Sequence, residues 1–211
     1  MTDIPLLSLL IWLPVAGGFA LLAMEAMGNT ASRQTALVVS IVTFLLSLLL
    51  YTNFDMTTAV MQFQEQLPWI AAINANYHLG VDGISMPLII LTTFTTVLVV
   101  LSAWEVIRKK PEQYMAAFLI MEGLMVGVFS ALDALLFYVF FEFTLIPLFF
   151  LIGIWGGSQR SKAANKFFLY TVAGSVLTFA AVLFVAVNIV SGQALRSTRV
   201  DLTEDGLYTL T

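Results

Sequence analysis

Long apolar runs separated by short polar breaks dominate the chain. Six windows stand out: Ile4 to Met24, Gln34 to Thr52, Gly83 to Trp104, Tyr114 to Leu132, Ala134 to Trp155 and Phe167 to Val190. Each is long enough to cross about 30 Å of hydrocarbon at about 1.5 Å of rise per helical residue. A barrel would require strictly alternating strands, and backbone polar groups in lipid must be satisfied within their own segment, so the windows predict helices. The expected fold is all-α: a polytopic membrane bundle of six transmembrane helices over residues 1–190, followed by a polar extracytoplasmic tail over 191–211.

Composition sharpens this picture. The 211 residues are 60% hydrophobic and only 10% charged, and the mean hydropathy is +0.95, far from the balance of a soluble domain. The first window differs from a signal peptide: Asp3 precedes it, no Lys or Arg does, and its apolar run exceeds a normal h-region. It is predicted to be a retained helix. The absence of cysteine excludes disulfides, thiolate chemistry and cysteine-ligated clusters. His78 is the only histidine, which argues against a dedicated zinc or haem site, so no metal ligands are assigned. It is expected simply to pack at the membrane interface. A formal net charge of -4 gives no sign of nucleic-acid binding.

The loop charges sort by sign. Arg33 lies between helices one and two, Arg108, Lys109 and Lys110 between three and four, and Arg160, Lys162 and Lys166 between five and six. The opposite ends carry Asp3, Asp55, Glu65, Asp82 and Asp133, with no Lys or Arg before residue 190. The positive-inside rule places the basic loops in the cytoplasm and the amino terminus outside. Between Asn53 and Asp82, the stretch "LPWIAAINANYHLGVDG" has the aromatics and closing glycines of an ordered interfacial hairpin.

Only Glu122, in "LIMEGLMVGVFSALD", and Glu142, in "YVFFEFTLIPLF", are ionisable groups well inside a predicted span. The turn at Ala131 to Asp133 joins their helices, with Asp133 placed to cap the second. Each glutamate lies ten residues from Leu132, a rise of about 15 Å, so an antiparallel hairpin brings both to one depth near the midplane. An acidic residue at a helix centre costs roughly 2.5 to 3.5 kcal/mol on insertion scales and calls for a partner or water. Two at one level suggest a proton relay; the alternative is a pair of inert hydrogen-bond partners for neighbouring helices. Pro147 leaves the carbonyl of Phe143 without its usual donor, so a kink or hydration is expected beside Glu142. No Lys or Arg falls within a span to pair with either carboxyl. Lys162 and Lys166, spaced i, i+4, are the nearest cations and fit interfacial anchoring or proton entry.

The stretches "YHLGVDGISMPLIILTTF", "MEGLMVGVFSALDALLFYVFFEFTLIPLFFLIGIWGG" and "KFFLYTVAGSVL" closely resemble chain M of bacterial NADH-quinone oxidoreductase, respiratory complex I, one of its antiporter-like proton channels. The resemblance runs to about Leu177. It implies an antiporter-like fold truncated within the first of two inverted repeats. It also implies that Glu142 matches the family's essential glutamate of helix five and Glu122 its functional glutamate of helix four. The helix-seven lysine that pairs with the former in the family lies beyond this chain. Other membrane subunits of complex I and the lipid bilayer are the implied partners, and a bacterial inner membrane the implied location. No cofactor is expected in this chain, since FMN, iron-sulfur clusters and quinone belong elsewhere in that complex, and no redox chemistry either. An Mrp-type cation/proton antiporter shares the helix-five glutamate and is the nearest competing family. The ending, "RSTRVDLTEDGLYTLT", resembles the extracytoplasmic start of gliding-motility-type ABC transporter auxiliary proteins. That likeness implies a join between roughly Thr178 and Thr198 and, as a further alternative, a non-catalytic membrane anchor.

Overall fold

The computed structural model describes residues 5–23, 29–58, 60–70, 75–181, 183 and 184. Residues 1–167 and 168–211 form separate compact units. In the first unit, helices α1 (Leu6–Ala23), α2 (Asn29–Asn53), α3 (Ser85–Val106), α4 (Pro111–Ser130) and α5 (Ala134–Trp155) coincide with the first five apolar windows to within a few residues. All five are long and apolar enough to cross a membrane. Residues 160–167 of this unit are also helical, and in the second unit residues 168–181 are helical. The rest of the sixth window beyond residue 184, and the tail over 191–211, lie outside the described residues.

Helices in lipid gain little from apolar burial against one another, so close backbone approach and specific polar bonds must hold them. Helix α4 supplies the approach. With 56% of its span buried, it is the most enclosed of the five, and α1 runs antiparallel along it. Gly18 of α1 lies over Ala116 and Ile120, and Gly123 of α4 lies against the carbonyl of Ile11, with Val15 and Pro14 beside it. A Cβ at Gly123 would meet that carbonyl directly. On the next flank Gly127 takes the ring of Phe140 from α5. Helix α5 continues unbroken across Pro147, so the proline costs one backbone donor without ending the helix.

The expected hairpin closes the end of the bundle that carries the acidic residues. Strands β1 (Gln62–Ile70) and β2 (Ala75–Val81) pair antiparallel, with Glu65 opposite Leu79 and Gln66 opposite His78. Pro68 has no N–H to offer, which a strand in a two-stranded sheet tolerates. Glu65 reaches the amino end of α1 and accepts from the Leu7 N–H at 2.7 Å, the Ser8 N–H and the Ser8 hydroxyl. Asp133 caps α5 as expected, accepting from the N–H groups of Leu135 at 2.8 Å and Leu136 at 3.2 Å, and also accepts from Asn76 of β2 at 3.1 Å. The Leu132 N–H donates to the His78 carbonyl at 2.9 Å. Asp82 accepts from Ile84 and Ser85 ahead of α3, while the Asp82 N–H donates to Ser85 Oγ at 2.9 Å, a reciprocal cap. Orphan donors at three helix starts are thereby satisfied from one small sheet and its edges.

At the opposite end the basic breaks gather. Arg33 donates to the Ile107 carbonyl at 3.0 Å, and Trp155 Nε1 to the Lys109 carbonyl at 2.9 Å.

Two outcomes follow. Gly123→Val should lower stability in detergent by about 1–3 kcal/mol through overpacking. Gly153→Ala, whose Cβ would sit 3.8 Å from Ala164 in ordinary contact, should leave the unfolding midpoint unchanged or raise it. Second, the N–H of Ser85, and after it the Ser85 hydroxyl, hold the Asp82 carboxyl below the usual carboxylate range. Its contribution to stability is therefore full above the unfolded value of 3.8 and lost as pH falls through the lower folded value. The stability gap between the native chain and Asp82→Asn should shrink as pH is taken from neutral down past 3.8.

Candidate functional site: two carboxyls and a hydroxyl track within the helices

Glu122 lies eight residues before the end of α4 and Glu142 eight residues after the start of α5. Both stand about 12 Å below the turn that joins the helices. Equal depth does not make them one site. Leu136 and Phe140 mark the face of α5 that enters the core with α4, and Glu142, two residues beyond Phe140, lies roughly 200° further round the helix. The two carboxyls share no hydrogen bond: both oxygens of Glu122 are enclosed without a protein partner, as is Oε1 of Glu142. Glu122 is 2% exposed, whereas Glu142 is half-buried.

An unpaired charge at such a position is costly. The groups best suited to the setting are those that exchange a proton with a neighbour or with water. Buried hydroxyls also occur in α2 and α3. Ser40, Thr43 and Ser47 repeat along one face of α2, and Thr93 and Thr96 along one face of α3; all five are buried. Ser47 and Thr93 bridge the helices at 2.8 Å. Thr43 donates to the Val39 carbonyl at 2.9 Å and Thr96 to the Thr92 carbonyl at 3.1 Å. Thr43 and Thr96 thus have their protons placed on their own helices and retain acceptor capacity, while in the Ser47–Thr93 bridge one hydroxyl donates to the other.

The two glutamates were singled out in the sequence because charge in an apolar run is conspicuous. The hydroxyl track was not, because isolated Ser and Thr are common in membrane helices. The doubled pattern "TTFTT" at 92–96 and the heptad-like spacing of 40, 43 and 47 were the available signals. Glu112 was also passed over. It is buried in the first turn of α4, where a negative charge meets the positive end of the helix dipole. His78 packs in β2, with Nε2 enclosed and without a partner. Among the described residues no group of three or more His, Asp or Glu is placed to hold a metal ion.

Residues 9–130 match the family described as NADH-ubiquinone oxidoreductase chain 4, amino terminus. Residues 131–199 match the transmembrane family of NADH:quinone oxidoreductase and Mrp antiporters, a match that runs past Leu177. The chain is 50% identical over 183 residues to NADH-quinone oxidoreductase subunit M of Rhodobacter capsulatus, covering 84% of this chain and 35% of that protein. It is 47% identical over 180 residues to NADH-ubiquinone oxidoreductase chain 4 of Arabidopsis thaliana, covering 85% and 36%. The fold is similar to a chain of respiratory complex I from Thermus thermophilus with bound NADH, with a TM-score of 0.70 and 31% identity over 84% of this chain and 35% of that one. A chain of the Mrp complex from Dietzia sp. shares the fold with a TM-score of 0.62 at 20% identity, over 79% of this chain and 18% of that one. The chain spans about a third of the length of the curated relatives quoted.

Proposed function

The chain belongs to the NADH-ubiquinone oxidoreductase chain 4 family, and from that premise we propose that it is the amino-terminal portion of a proton-translocating membrane subunit of a respiratory NADH:quinone oxidoreductase. In this reading Glu142 and Glu122 are intramembrane proton-relay carboxyls. The observation that carries it is the placement of both groups at one depth inside apolar helices, with both oxygens of Glu122 and Oε1 of Glu142 enclosed and without a protein partner. A structural hydrogen-bonding role would leave those oxygens paired with a neighbouring helix. Redox energy would come from other subunits of the complex, reaching this chain as a conformational change that alters the surroundings of the carboxyls.

The remaining parts of the reading follow from it. The other membrane subunits of the complex and the bilayer are the partners, and the bacterial cytoplasmic membrane is the location. The segregation of Arg33, Lys109, Lys110 and Arg160 from Glu65, Asp82 and Asp133 supports basic loops inside and the amino terminus outside. In this reading the tail from Arg196 has no part in proton transfer.

Glu142→Gln in the assembled complex should slow proton transfer through this subunit by a factor on the order of 10², the scale of losing a positioned acid-base group, and so lower the ratio of protons translocated to NADH oxidised. Glu122→Gln should lower it less. Deleting residues 196–211 should leave the ratio unchanged. A normal ratio in Glu142→Gln, together with a defect on deleting the tail, would favour the membrane-anchor reading instead.

A further inference from the structure

Between α3 and α4 lies a cleft of about 270 Å³, lined on α3 by Thr92, Thr95 and Thr96 and on α4 by Glu122. We propose that this cleft holds a short file of water that exchanges protons with Glu122, and that the three threonine hydroxyls position it. The inference rests on the proton-relay reading of Glu122 and names the route by which that carboxyl communicates.

Four observations converge. First, burial is graded along the route: Thr95 is exposed, Thr92 half-buried, Thr96 6% exposed and Glu122 2% exposed. Second, the carboxyl at the inner end has both oxygens enclosed and without a protein partner. A buried carboxyl so placed, beside a cleft with threonines along one wall, is a site for water. Third, two of the three hydroxyls, those of Thr92 and Thr96, are committed as donors but free as acceptors. Thr92 donates to the Leu88 carbonyl at 2.8 Å and Thr96 to the Thr92 carbonyl at 3.1 Å, so their lone pairs remain to receive hydrogen bonds from water. Fourth, the space is sufficient, since a water occupies roughly 30 Å³ in the liquid and needs two to four polar partners. The other walls, including Leu91, Val99, Phe118, Met121 and Met125, are apolar and restrict the water to the threonine side.

The position of the route is also informative. Thr95 is ten residues from the start of α3 and eleven from its end, so the cleft opens at mid-span rather than at either membrane surface. The water that the threonines hold therefore passes protons sideways across the bundle at the depth of Glu122. They are positioning residues: each holds water and none is itself ionised.

The test uses the assembled complex in lipid nanodiscs transferred to heavy water, with hydrogen–deuterium exchange at the Glu122 carboxyl followed by its infrared carbonyl band. That band is identified as the one removed by Glu122→Gln. The double variant Thr95→Val, Thr96→Val should slow exchange by about tenfold or more, the order expected when bridging water between a proton carrier and its supply is lost. The double variant Thr95→Ser, Thr96→Ser keeps both hydroxyls and should exchange at the native rate. Native-rate exchange in the valine variant would overturn the inference, as would slowing of the serine variant to the valine rate. So would a chain in which Glu122→Gln removes no carboxyl band. Failure of the parent reading has a different signature: normal proton coupling by Glu122→Gln in the assembled complex, whatever the exchange rates in the nanodisc.

Discussion

The approach of α1 to α4 at Gly123 sets the positions of everything else in the five-helix unit. Because lipid offers no hydrophobic force to press apolar helices together, the contact depends on removing side-chain bulk where backbones meet. Gly123 lies against the carbonyl of Ile11, and Gly18 returns the arrangement one contact further along, at Ala116. With α1 fixed on one flank and Phe140 of α5 seated on Gly127 on another, α4 is enclosed. Enclosure of α4 is what buries Glu122. A looser packing would admit lipid or bulk water to that carboxyl.

The hairpin is the second constraint, and it acts on the helix ends. Glu65, Asp82 and Asp133 each hold the first donors of a different helix, and the turn between α4 and α5 is tied to β2 by the bond from the Leu132 N–H to the His78 carbonyl. The depth of Glu142 is counted from the end that Asp133 fixes. A change in the hairpin would thus reach the carboxyls through the helices without any contact with them.

Much of this could be read from the sequence. Uninterrupted apolar length gave α1 to α5 to within a few residues, since only helices satisfy the backbone in lipid. The aromatic and glycine content of residues 53–82 gave the hairpin, and Asp133 announced its own cap. The carboxyls were visible as charges out of place, and their common depth followed from counting. What could not be read was direction. A helix wheel for an apolar segment is nearly featureless, so the sequence did not indicate that Glu142 lies round the helix from the face that meets α4. For the same reason it did not single out Thr92, Thr95 and Thr96 as neighbours of Glu122. Those facts depend on which faces the glycines bring together, and glycine contacts are set by three-dimensional packing rather than by local pattern.

The account stands on Glu122 and Glu142 changing protonation as the membrane domain works. Infrared difference spectra of the assembled complex, recorded between rest and steady NADH oxidation, test this most directly. The account predicts carboxyl carbonyl signals that shift in heavy water, one abolished by Glu122→Gln and another by Glu142→Gln. Turnover spectra with no carboxyl signal assignable to either residue would contradict it.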